Sequence, residues 1–392
     1  MIVAIIGAGK IGRALASTFC EDNSIESVLV CDRDGNSLHE LEEFVNSKKL
    51  RTHRVGIERE MAFNAIIRKC DLMISALPSS YNTDLAHIAL NAGKHYLDLG
   101  GSKKVFEELL QLDEQAQKHH LWVIPNSGFA PGLVNIIAMH GYDAFDKVHS
   151  INVRSSGLPQ EPEPPFYFQN SFSPAMLLNE YLEDALILRE GKCHYVKPLN
   201  GYERFKFESH PDLGEYEAFY TSGQITSLAQ HLEGCVDELD FKSIRYPGHK
   251  EIFQALFYLG FDSDKIIDIK SNFTYKDLLI QQLEKNLPEN QKDMVLMKVD
   301  INGVKDGSSI QRTYELIEYY DEEKDMSSLM KCASIPTLLL TKLIGDKKMV
   351  DQGGVKPPEQ LPMRQTILDM LKEKGINIDI QERNIQSEKE TV

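Results

Sequence analysis

The sequence predicts a doubly wound α/β domain with a parallel sheet, together with a second domain of the α+β class. Three observations in the first third of the chain lead to the first part of this prediction. Short apolar runs alternate with amphipathic helical stretches, which is the pattern of βαβ units. Several runs are continuously apolar, as in parallel strands covered on both faces. A glycine-rich turn directly follows the first run.

Composition places the chain among ordinary globular proteins and limits its partners. It has 392 residues, of which 42% are hydrophobic and 26% charged, and its formal net charge is −16 at pH 7. So acidic a surface repels phosphate groups, and we expect neither a nucleic-acid nor a membrane partner. The six cysteines lie far apart without a CxxC pair, which argues against a metal site or a disulfide framework. We expect a cytoplasmic protein without a bound metal.

The elements of the first domain follow from the apolar pattern. Between the runs, apolar residues recur at helical spacing, for example at Leu85, Ile88, Ala89 and Ala92. Six strands in this alternation suggest the dinucleotide-binding form of the doubly wound sheet. The predicted strands are 2–6, 27–31, 53–57, 71–76, 95–99 and 122–125.

After about residue 132 the pattern changes to alternating strands with separate helices, which indicates an α+β domain with a largely antiparallel sheet. An apolar helix at 329–344 then returns to the first domain. The predicted strands are 148–153, 204–207, 215–220 and a hairpin of 294–302 with 310–319, and the predicted helices are 174–181, 249–259 and 275–286. We predict four segments: a dinucleotide-binding domain at 1–132, a substrate-binding and dimerisation domain at 133–328, C-terminal helices that return to the first domain at 329–380, and a polar tail at 381–392.

The segment GAGKIG at residues 7–12 has the spacing of a dinucleotide-binding loop. Gly7 would make the tight turn, Gly9 would let the backbone approach a pyrophosphate, and Gly12 would allow close packing of helix on strand. The pyrophosphate would then rest on the helix N-terminus, where free N–H groups favour negative charge. The expected cofactor-binding residues of this loop are Gly7, Gly9, Lys10, Ile11 and Gly12.

Asp32 ends the second strand, twenty residues beyond Gly12. A carboxylate at this position accepts hydrogen bonds from the ribose hydroxyls and repels the 2′-phosphate of NADP, so NAD is the expected cofactor and NADP the alternative. Arg33 is an alternative binding residue for that phosphate. Further cofactor contacts are expected at carboxyl ends of later strands, from Ala76, Leu77, Pro78 and Gly100.

Several segments together resemble the saccharopine dehydrogenase superfamily, and within it the lysine 6-dehydrogenases most closely. The resemblance extends to about residue 361. It rests on the nucleotide loop, on AGKHYLDLGG at 92–101 and SGFAPG at 127–132, and on the shorter stretches GLP at 157–159, FSP at 172–174, GEYEAF at 214–219, IRYPGH at 244–249 and GVKPPE at 354–359.

The resemblance implies a Rossmann-type doubly wound parallel sheet with an inserted α+β second domain, in an enzyme that is often a homodimer. It also implies oxidation of an amino-acid C–N bond with a nicotinamide cofactor. Lysine enzymes take a hydride from the ε-carbon and release ammonia, whereas saccharopine or carboxynorspermidine-type enzymes act on a secondary amine. Saccharopine reductases carry Tyr-Pro-Asn-Arg where this chain has Tyr220-Thr221-Ser222-Gly223, and the missing arginine favours lysine. A non-catalytic dinucleotide sensor is the alternative from another class.

The reaction requires a general base, because a protonated amine must lose a proton before a hydride can leave. Asp98 is the first candidate, and its alternative role is to accept the N–H groups of Gly100 and Gly101. His249 is the second candidate, with capping or packing as the alternative.

The substrate's α-carboxylate calls for a residue with two parallel donors. Arg245 is the expected clamp, because a guanidinium matches a carboxylate with two hydrogen bonds, and its alternative role is an ordinary ion pair. Tyr246 belongs to the same RYPGH segment and is expected to bind substrate as well. Glu215, and after it Glu217, are candidates to receive the α-ammonium, with solvated strand positions as the alternative.

Overall fold

The structure is a computed structural model that describes residues 1–100, 102–171, 173–289, 291–346, 349 and 353–385. The chain divides into two compact units. Unit 1 comprises Met1–His140 and Met330–Asn377, and unit 2 comprises Gly141–Leu329 and Ile378–Val392. A doubly wound parallel sheet lies in unit 1 and a separate, mainly antiparallel sheet in unit 2, which confirms the predicted fold class.

The bounds of the elements are as follows. The strands are β1 (Ile2–Ile6), β2 (Ser27–Asp32), β3 (Leu50–Arg54), β4 (Leu72–Ser75), β5 (His95–Asp98), β6 (Trp122–Ile124), β7 (Lys147–Pro159), β8 (Ala185–Arg189), β9 (Lys192–Val196), β10 (Glu203–Phe205), β11 (Tyr216–Tyr220), β12 (Glu238–Arg245), β13 (Ile266–Asp268), β14 (Phe273–Thr274), β15 (Asp293–Lys305), β16 (Ser308–Tyr319), β17 (Gly354–Val355) and β18 (Asp379–Asn384). The helices are α1 (Lys10–Glu21), α2 (Gly35–Val45), α3 (Glu60–Ile67), α4 (Asn82–Asn91), α5 (Lys103–Leu110), α6 (Asp113–Lys118), α7 (Leu133–Tyr142), α8 (Pro174–Leu182), α9 (Thr226–Leu232), α10 (His249–Tyr258), α11 (Tyr275–Asn286), α12 (Ser328–Gly345) and α13 (Arg364–Glu373).

The sheet of unit 1 is parallel throughout, in the order β17-β6-β5-β4-β1-β2-β3. Strand β1 is covered on both faces, since Val3, Ile5, Ala4 and Ile6 are all buried. Consecutive residues of a strand point to opposite faces, so this burial requires helices on both sides of the sheet. The carboxyl ends of β1, β2, β4 and β5 therefore meet along one edge, where doubly wound sheets bind ligands.

The third strand differs from its prediction. It spans Leu50–Arg54 rather than 53–57, and it lies at the edge of the sheet with mostly exposed or half-buried side chains. An edge strand is covered less completely than a central one, so its residues need not be apolar, and the apolar pattern pointed instead to the residues that follow. The short strand β17 was not predicted, because a glycine and a valine carry no periodic pattern.

The sheet of unit 2 has nine strands, and its main path runs β10-β11-β12-β7-β15-β16-β18. Strand β12 pairs in parallel with β7, and the other pairs are antiparallel, including the predicted hairpin of β15 and β16. Apolar residues of α8, α10 and α11 form one core with residues of the sheet, such as Leu177, Phe253 and Leu283 against Phe219 and Leu296. This core holds α8 and α10 against the sheet.

Five strands of unit 2 and the start of the expected tail differ from the sequence prediction. Strands β8, β9, β12, β13 and β14 were missed; β12 mixes charged with apolar residues and ends at Arg245. Residues 381–384, expected in a polar tail, belong to β18, which pairs with β16. Its side chains are exposed, so backbone pairing at a sheet edge, rather than apolar burial, forms this strand. No helix in the part of the chain described here is long and apolar enough to cross a membrane.

Asp22 joins the end of α1 to the C-terminal helices of unit 1. Its carboxylate accepts hydrogen bonds from Lys374 Nζ at 2.8 Å, Lys342 Nζ at 3.1 Å and Ser24 Oγ at 2.6 Å. Burial alone would raise the pKa of Asp22, but these donors outweigh burial and hold its pKa well below the ordinary value. The buried carboxylate of Asp22 thus binds two lysines that lie more than 300 positions away in the sequence.

We predict that Asp22→Asn lowers the free energy of unfolding by about 2–3 kcal/mol at pH 7, since charged hydrogen bonds are lost. The native pKa is depressed, so this stabilisation is present above the ordinary carboxyl pKa and disappears as the pH falls towards the native one. Urea unfolding at several pH values measures the difference, with the exposed Glu26→Gln as control. Equal stability of Asp22→Asn and wild type at pH 7 would contradict the account.

Candidate functional site

The loop between β1 and α1 fits a dinucleotide pyrophosphate. Gly7 has φ +112°, and a Cβ there would lie 2.9 Å from the Ala76 carbonyl oxygen. A Cβ at Gly12 would collide with the carbonyl oxygen of Gly7, so close packing of α1 on β1 requires glycine. A Cβ at Gly9 would meet nothing within 4 Å, which leaves open space beside the backbone. Gly9 is the N-cap of α1 and provides no side-chain cap, so the helix N-terminus is available to an anion.

Asp32 connects this loop to the end of β2. Its Oδ2 accepts the N–H of Ala8 at 2.7 Å, and its Oδ1 accepts the N–H of Asp34 at 2.8 Å. Each oxygen keeps a further lone pair, so the carboxylate can still accept ribose hydroxyls. The next residue, Arg33, is exposed and lines a pocket of about 310 Å³. The pocket is lined by Arg33, Arg54, Val55, Gly56, Glu58 and Arg59.

The remaining predicted cofactor residues lie at or near the same edge of the sheet. Ala76 and Leu77 follow β4, and both come within about 3 Å of a Cβ built at Gly7. Pro78 precedes a short 3₁₀ turn at Ser79–Tyr81. Gly100 has φ +83°, and a side chain there would collide with the amide oxygen of Asn126. Lys10 and Ile11 are the first two residues of α1.

Asp98, the first candidate base, is buried with 1% of its surface exposed. Its Oδ1 accepts the backbone N–H groups of Gly100 at 2.8 Å and Asn126 at 3.1 Å. Burial raises the pKa of Asp98 to about 6 against the lowering effect of these donors. Gly101, the other expected donor, lies outside the described residues. The contacts favour the alternative in which Asp98 holds the ends of β5 and β6 together.

In unit 2, Arg245, Tyr181 and His249 form a buried chain of hydrogen bonds. Arg245 Nε donates to Tyr181 Oη at 2.7 Å, and Tyr181 Oη lies 2.9 Å from His249 Nε2. His249 Nδ1 lies 2.7 Å from the carbonyl oxygen of Phe166. A carbonyl only accepts, so Nδ1 carries the proton and Nε2 accepts from Tyr181 when the ring is neutral. The Phe166 carbonyl therefore fixes the direction of both hydrogen bonds that His249 makes.

His249, the second candidate base, is fully buried. Burial and the nearby Arg245 charge lower the pKa of His249 to about 3, so the imidazole is neutral at pH 7. Both ring nitrogens are engaged by the protein. The contacts therefore favour the packing alternative, in which His249 orients Tyr181, over a role in accepting a proton from substrate.

The Arg245 guanidinium is largely committed to the protein. Nη1 donates to Ser156 Oγ at 2.6 Å and to the Ile244 carbonyl at 2.8 Å, in addition to the bond from Nε. The ring of Phe168 lies 4.9 Å from the guanidinium carbon. Only Nη2 has no hydrogen bond among the described residues, and it lies 3.7 Å from Glu180 Oε2. This geometry favours an ion-pair role over a two-bond clamp on substrate.

The other predicted substrate residues are engaged by neighbouring groups of unit 2. Glu215 is exposed and pairs with Arg204 at 3.2 Å. Glu217 accepts the N–H groups of Gly248 at 3.1 Å and Lys250 at 2.8 Å, so it caps the start of α10. Tyr246 donates its hydroxyl hydrogen to the Pro159 carbonyl at 2.7 Å. Each has a structural partner that explains its presence.

Glu180 and Gln224 were missed by the sequence prediction. Glu180 lies near the end of α8, and Gln224 Nε2 donates to its Oε1 at 2.8 Å. Burial raises the pKa of Glu180 to about 7, although Arg245 pulls it down. The available signal was weak: a carboxylate beside Leu177, Leu178 and Tyr181 in a helix whose other strongly polar residue is Asn179. Among the described residues, no group of three or more His, Cys, Asp or Glu is arranged to hold a metal.

We predict that His249 makes wild-type stability more dependent on pH than the stability of His249→Gln. A native pKa below 6.5 means that the unfolded state binds the proton, so wild type loses stability as the pH falls below about 6.5. The slopes of unfolding free energy against pH differ by up to about 1.4 kcal/mol per unit. Urea unfolding of both proteins between pH 4.5 and 7.5 measures these slopes. Equal slopes for wild type and His249→Gln would contradict a neutral, buried His249.

Comparisons with known proteins agree with this architecture. The sequence matches the models of the saccharopine dehydrogenase NADP binding domain over residues 3–124 and of the saccharopine dehydrogenase C-terminal domain over residues 128–376. It is 22% identical to the saccharopine dehydrogenase (NADP(+), L-glutamate-forming) of Pyricularia oryzae, over 82% of this chain and 86% of that protein.

A longer relative and a solved structure show the same likeness. The chain is 21% identical to the mitochondrial alpha-aminoadipic semialdehyde synthase of Bos taurus over 95% of its own length, and it spans 47% of that protein. The apo saccharopine dehydrogenase (L-Glu forming) of Saccharomyces cerevisiae has a similar fold, with a TM-score of 0.80, 17% identity and coverage of 97% of this chain and 99% of that one. Since the two family models together cover most of its length, the chain belongs to the saccharopine dehydrogenase family.

Proposed function

We propose that the chain is a nicotinamide-dependent dehydrogenase that oxidises the amine-bearing carbon of an amino acid, with the ε-carbon of L-lysine as the first candidate. The observation that carries the proposal is the fit of the β1–α1 loop to a dinucleotide, in a member of the saccharopine dehydrogenase family. In this proposal unit 1 holds the cofactor and unit 2 recognises the substrate.

The chain's own residues supply binding and orientation. Gly7, Gly9 and Gly12 make room for the pyrophosphate, and Asp32 accepts the ribose hydroxyls. A nicotinamide bound there would supply the acceptor for the hydride of the amine-bearing carbon. Loss of the amine proton supplies the lone pair that forms the C=N bond as that hydride leaves. Hydrolysis of the resulting iminium then gives an aldehyde and ammonia.

A secondary amine of the saccharopine type is the second candidate substrate. It is supported by the names of two relatives, which are a saccharopine dehydrogenase and an alpha-aminoadipic semialdehyde synthase. Lysine is supported by the segment Tyr220–Gly223, which has no arginine for the additional carboxylates of saccharopine. The Thr221 side chain instead lies 2.8 Å from the Ser243 hydroxyl.

The proposal is tested by supplying L-lysine and saccharopine separately with NAD or NADP, and by following reduced cofactor and ammonia. We expect reduced cofactor and ammonia in equal amounts with L-lysine. Reduced cofactor with saccharopine alone, accompanied by release of an amino acid rather than ammonia, would favour the second candidate. Binding of NAD without turnover of any amine would instead identify a dinucleotide sensor.

The preference for NAD over NADP is a proposal that rests on Asp32. We predict that Asp32→Ala raises the ratio of NADP to NAD kcat/KM by about 10- to 100-fold, since removing a carboxylate relieves repulsion of the 2′-phosphate. Arg54→Ala is the matched control of opposite charge, because Arg54 lines the neighbouring pocket, and it should lower the same ratio. Initial rates with both cofactors measure the ratios. Wild-type protein that uses NADP better than NAD would contradict the role given to Asp32.

The predicted cytoplasmic location and the homodimer built through unit 2 remain proposals. Light scattering at micromolar concentration tests the dimer, and a particle of 44.5 kDa would contradict it.

A further inference from the structure

We propose that the pocket lined by Arg33, Arg54 and Arg59 in unit 1, here named the arginine pocket, binds a phosphate group. The inference extends the proposed function, because the 2′-phosphate of NADP is one source of such a group and inorganic phosphate is the other. It concerns unit 1 alone, and it requires neither a substrate nor any part of unit 2.

The arginine pocket lies where β2 and β3 end. Arg54 is the last residue of β3, and it pairs in register with Asp32, the last residue of β2. Arg33 directly follows β2, and Arg59 directly precedes α3. The volume of about 310 Å³ lies at the lower end of the range of small-molecule sites, which is about 300–1,000 Å³. The pocket therefore has room for a phosphate group together with part of the molecule that carries it.

The three guanidinium groups of the pocket are not neutralised by the protein. Within the described part of the chain, neither Arg33 nor Arg54 nor Arg59 forms an ion pair with a carboxylate. Arg54 Nε instead donates to the carbonyl oxygen of Arg33 at 3.4 Å, which places this side chain across the end of β2. The whole chain carries a net charge of −16, so three arginines without carboxylate partners in one pocket favour an anionic ligand.

The two aspartates at the end of β2 are bound by backbone N–H groups rather than by these arginines. Asp32 accepts the N–H groups of Ala8 at 2.7 Å and Asp34 at 2.8 Å. Asp34 in turn accepts the N–H groups of Asn36 and Ser37 at the start of α2, each at 3.2 Å. Neither aspartate lines the arginine pocket. The guanidinium groups therefore stay available to a ligand, although Asp32 is the register partner of one of them.

The charge of the pocket matches that of a phosphate group. Three arginines and Glu58 line it, so the charges of the lining side chains add to +2. The Glu58 carboxylate lies against Gly56, since a Cβ built at Gly56 would be 2.2 Å from Glu58 Oε2. A phosphate monoester carries about −1.5 to −2 at pH 7, and a guanidinium binds its oxygens through two parallel hydrogen bonds. A phosphate thus matches the pocket better than a singly charged carboxylate does.

The test measures binding, so it does not depend on which amine the protein oxidises. Calorimetric titrations at constant ionic strength compare NADPH, NADH and inorganic phosphate as ligands of wild type, Arg54→Ala, Arg59→Ala and Arg51→Ala. Arg51 is the matched control, because it is an exposed arginine of the same strand β3 that does not line the pocket. Its guanidinium donates to the carbonyl oxygens of Lys48 and Leu50 instead.

We expect Arg54→Ala and Arg59→Ala each to weaken the binding of the phosphate-carrying ligand by about 10- to 100-fold, because each removes charged hydrogen bonds to it. Arg51→Ala should bind every ligand as wild type does. The affinity for NADH should be the same in all four proteins, since NADH has no 2′-phosphate, and this equality also shows that the fold of unit 1 is intact.

Competition between the ligands identifies the source of the phosphate. Inorganic phosphate that competes with NADPH and not with NADH would identify the 2′-phosphate of NADP as the occupant. Inorganic phosphate that binds equally well beside either dinucleotide, and less well to Arg54→Ala, would identify the free ion. Equal affinities of wild type, Arg54→Ala and Arg59→Ala for both NADPH and phosphate would overturn the phosphate site and leave the dehydrogenase in place. A wild type that binds neither dinucleotide would overturn the proposed function, and the phosphate titration would still decide the arginine pocket.

Discussion

The buried guanidinium of Arg245 is the group on which the polar cluster of unit 2, formed with Tyr181, Ser156 and Glu180, depends. A charge removed from water is costly unless protein groups replace its hydration. Tyr181, Ser156 and the Ile244 carbonyl provide that replacement, and the rings of Phe168 and Tyr181 lie 4.9 and 5.6 Å from the guanidinium carbon. The arrangement leaves one nitrogen directed at Glu180. The position and the charge of Glu180 are thus consequences of how Arg245 is accommodated.

In unit 1, the conformation of the β1–α1 loop depends on a different constraint, which is the space available to the backbone. The β1–α1 turn requires glycine at two positions because the chain packs against itself there, and glycine at a third leaves open space. Asp32 then fixes the loop through the Ala8 N–H. The same carboxylate that would meet the ribose therefore also shapes the phosphate loop. Binding and local structure are coupled at this residue.

Sequence patterns predicted unit 1 better than unit 2 for physical reasons. Central parallel strands such as β1 and β4 are buried on both faces and must be apolar, so their positions are visible in the sequence. The glycine requirement at Gly12 reflects a local contact with the carbonyl of Gly7, whereas that at Gly7 comes from its positive φ and from Ala76 on the neighbouring strand end. By contrast, β12 mixes charged with apolar residues, and the partners of its last residue, Arg245, come from β7 and α8, more than sixty positions away. Residue types marked Arg245 and His249 as functional candidates, but only the tertiary structure reveals that both are enclosed and that Glu180 is accessible.

The central claim is that the Arg245 cluster holds Glu180 as a carboxylate poised near neutrality. The most direct measurement is a carbon-13 NMR titration of side-chain-labelled glutamate in wild type, with the Glu180 signal identified by its loss in Glu180→Gln. The account predicts that this signal titrates with a pKa of about 7. A Glu180 signal that titrates at the ordinary carboxyl value of 4.5 would contradict it.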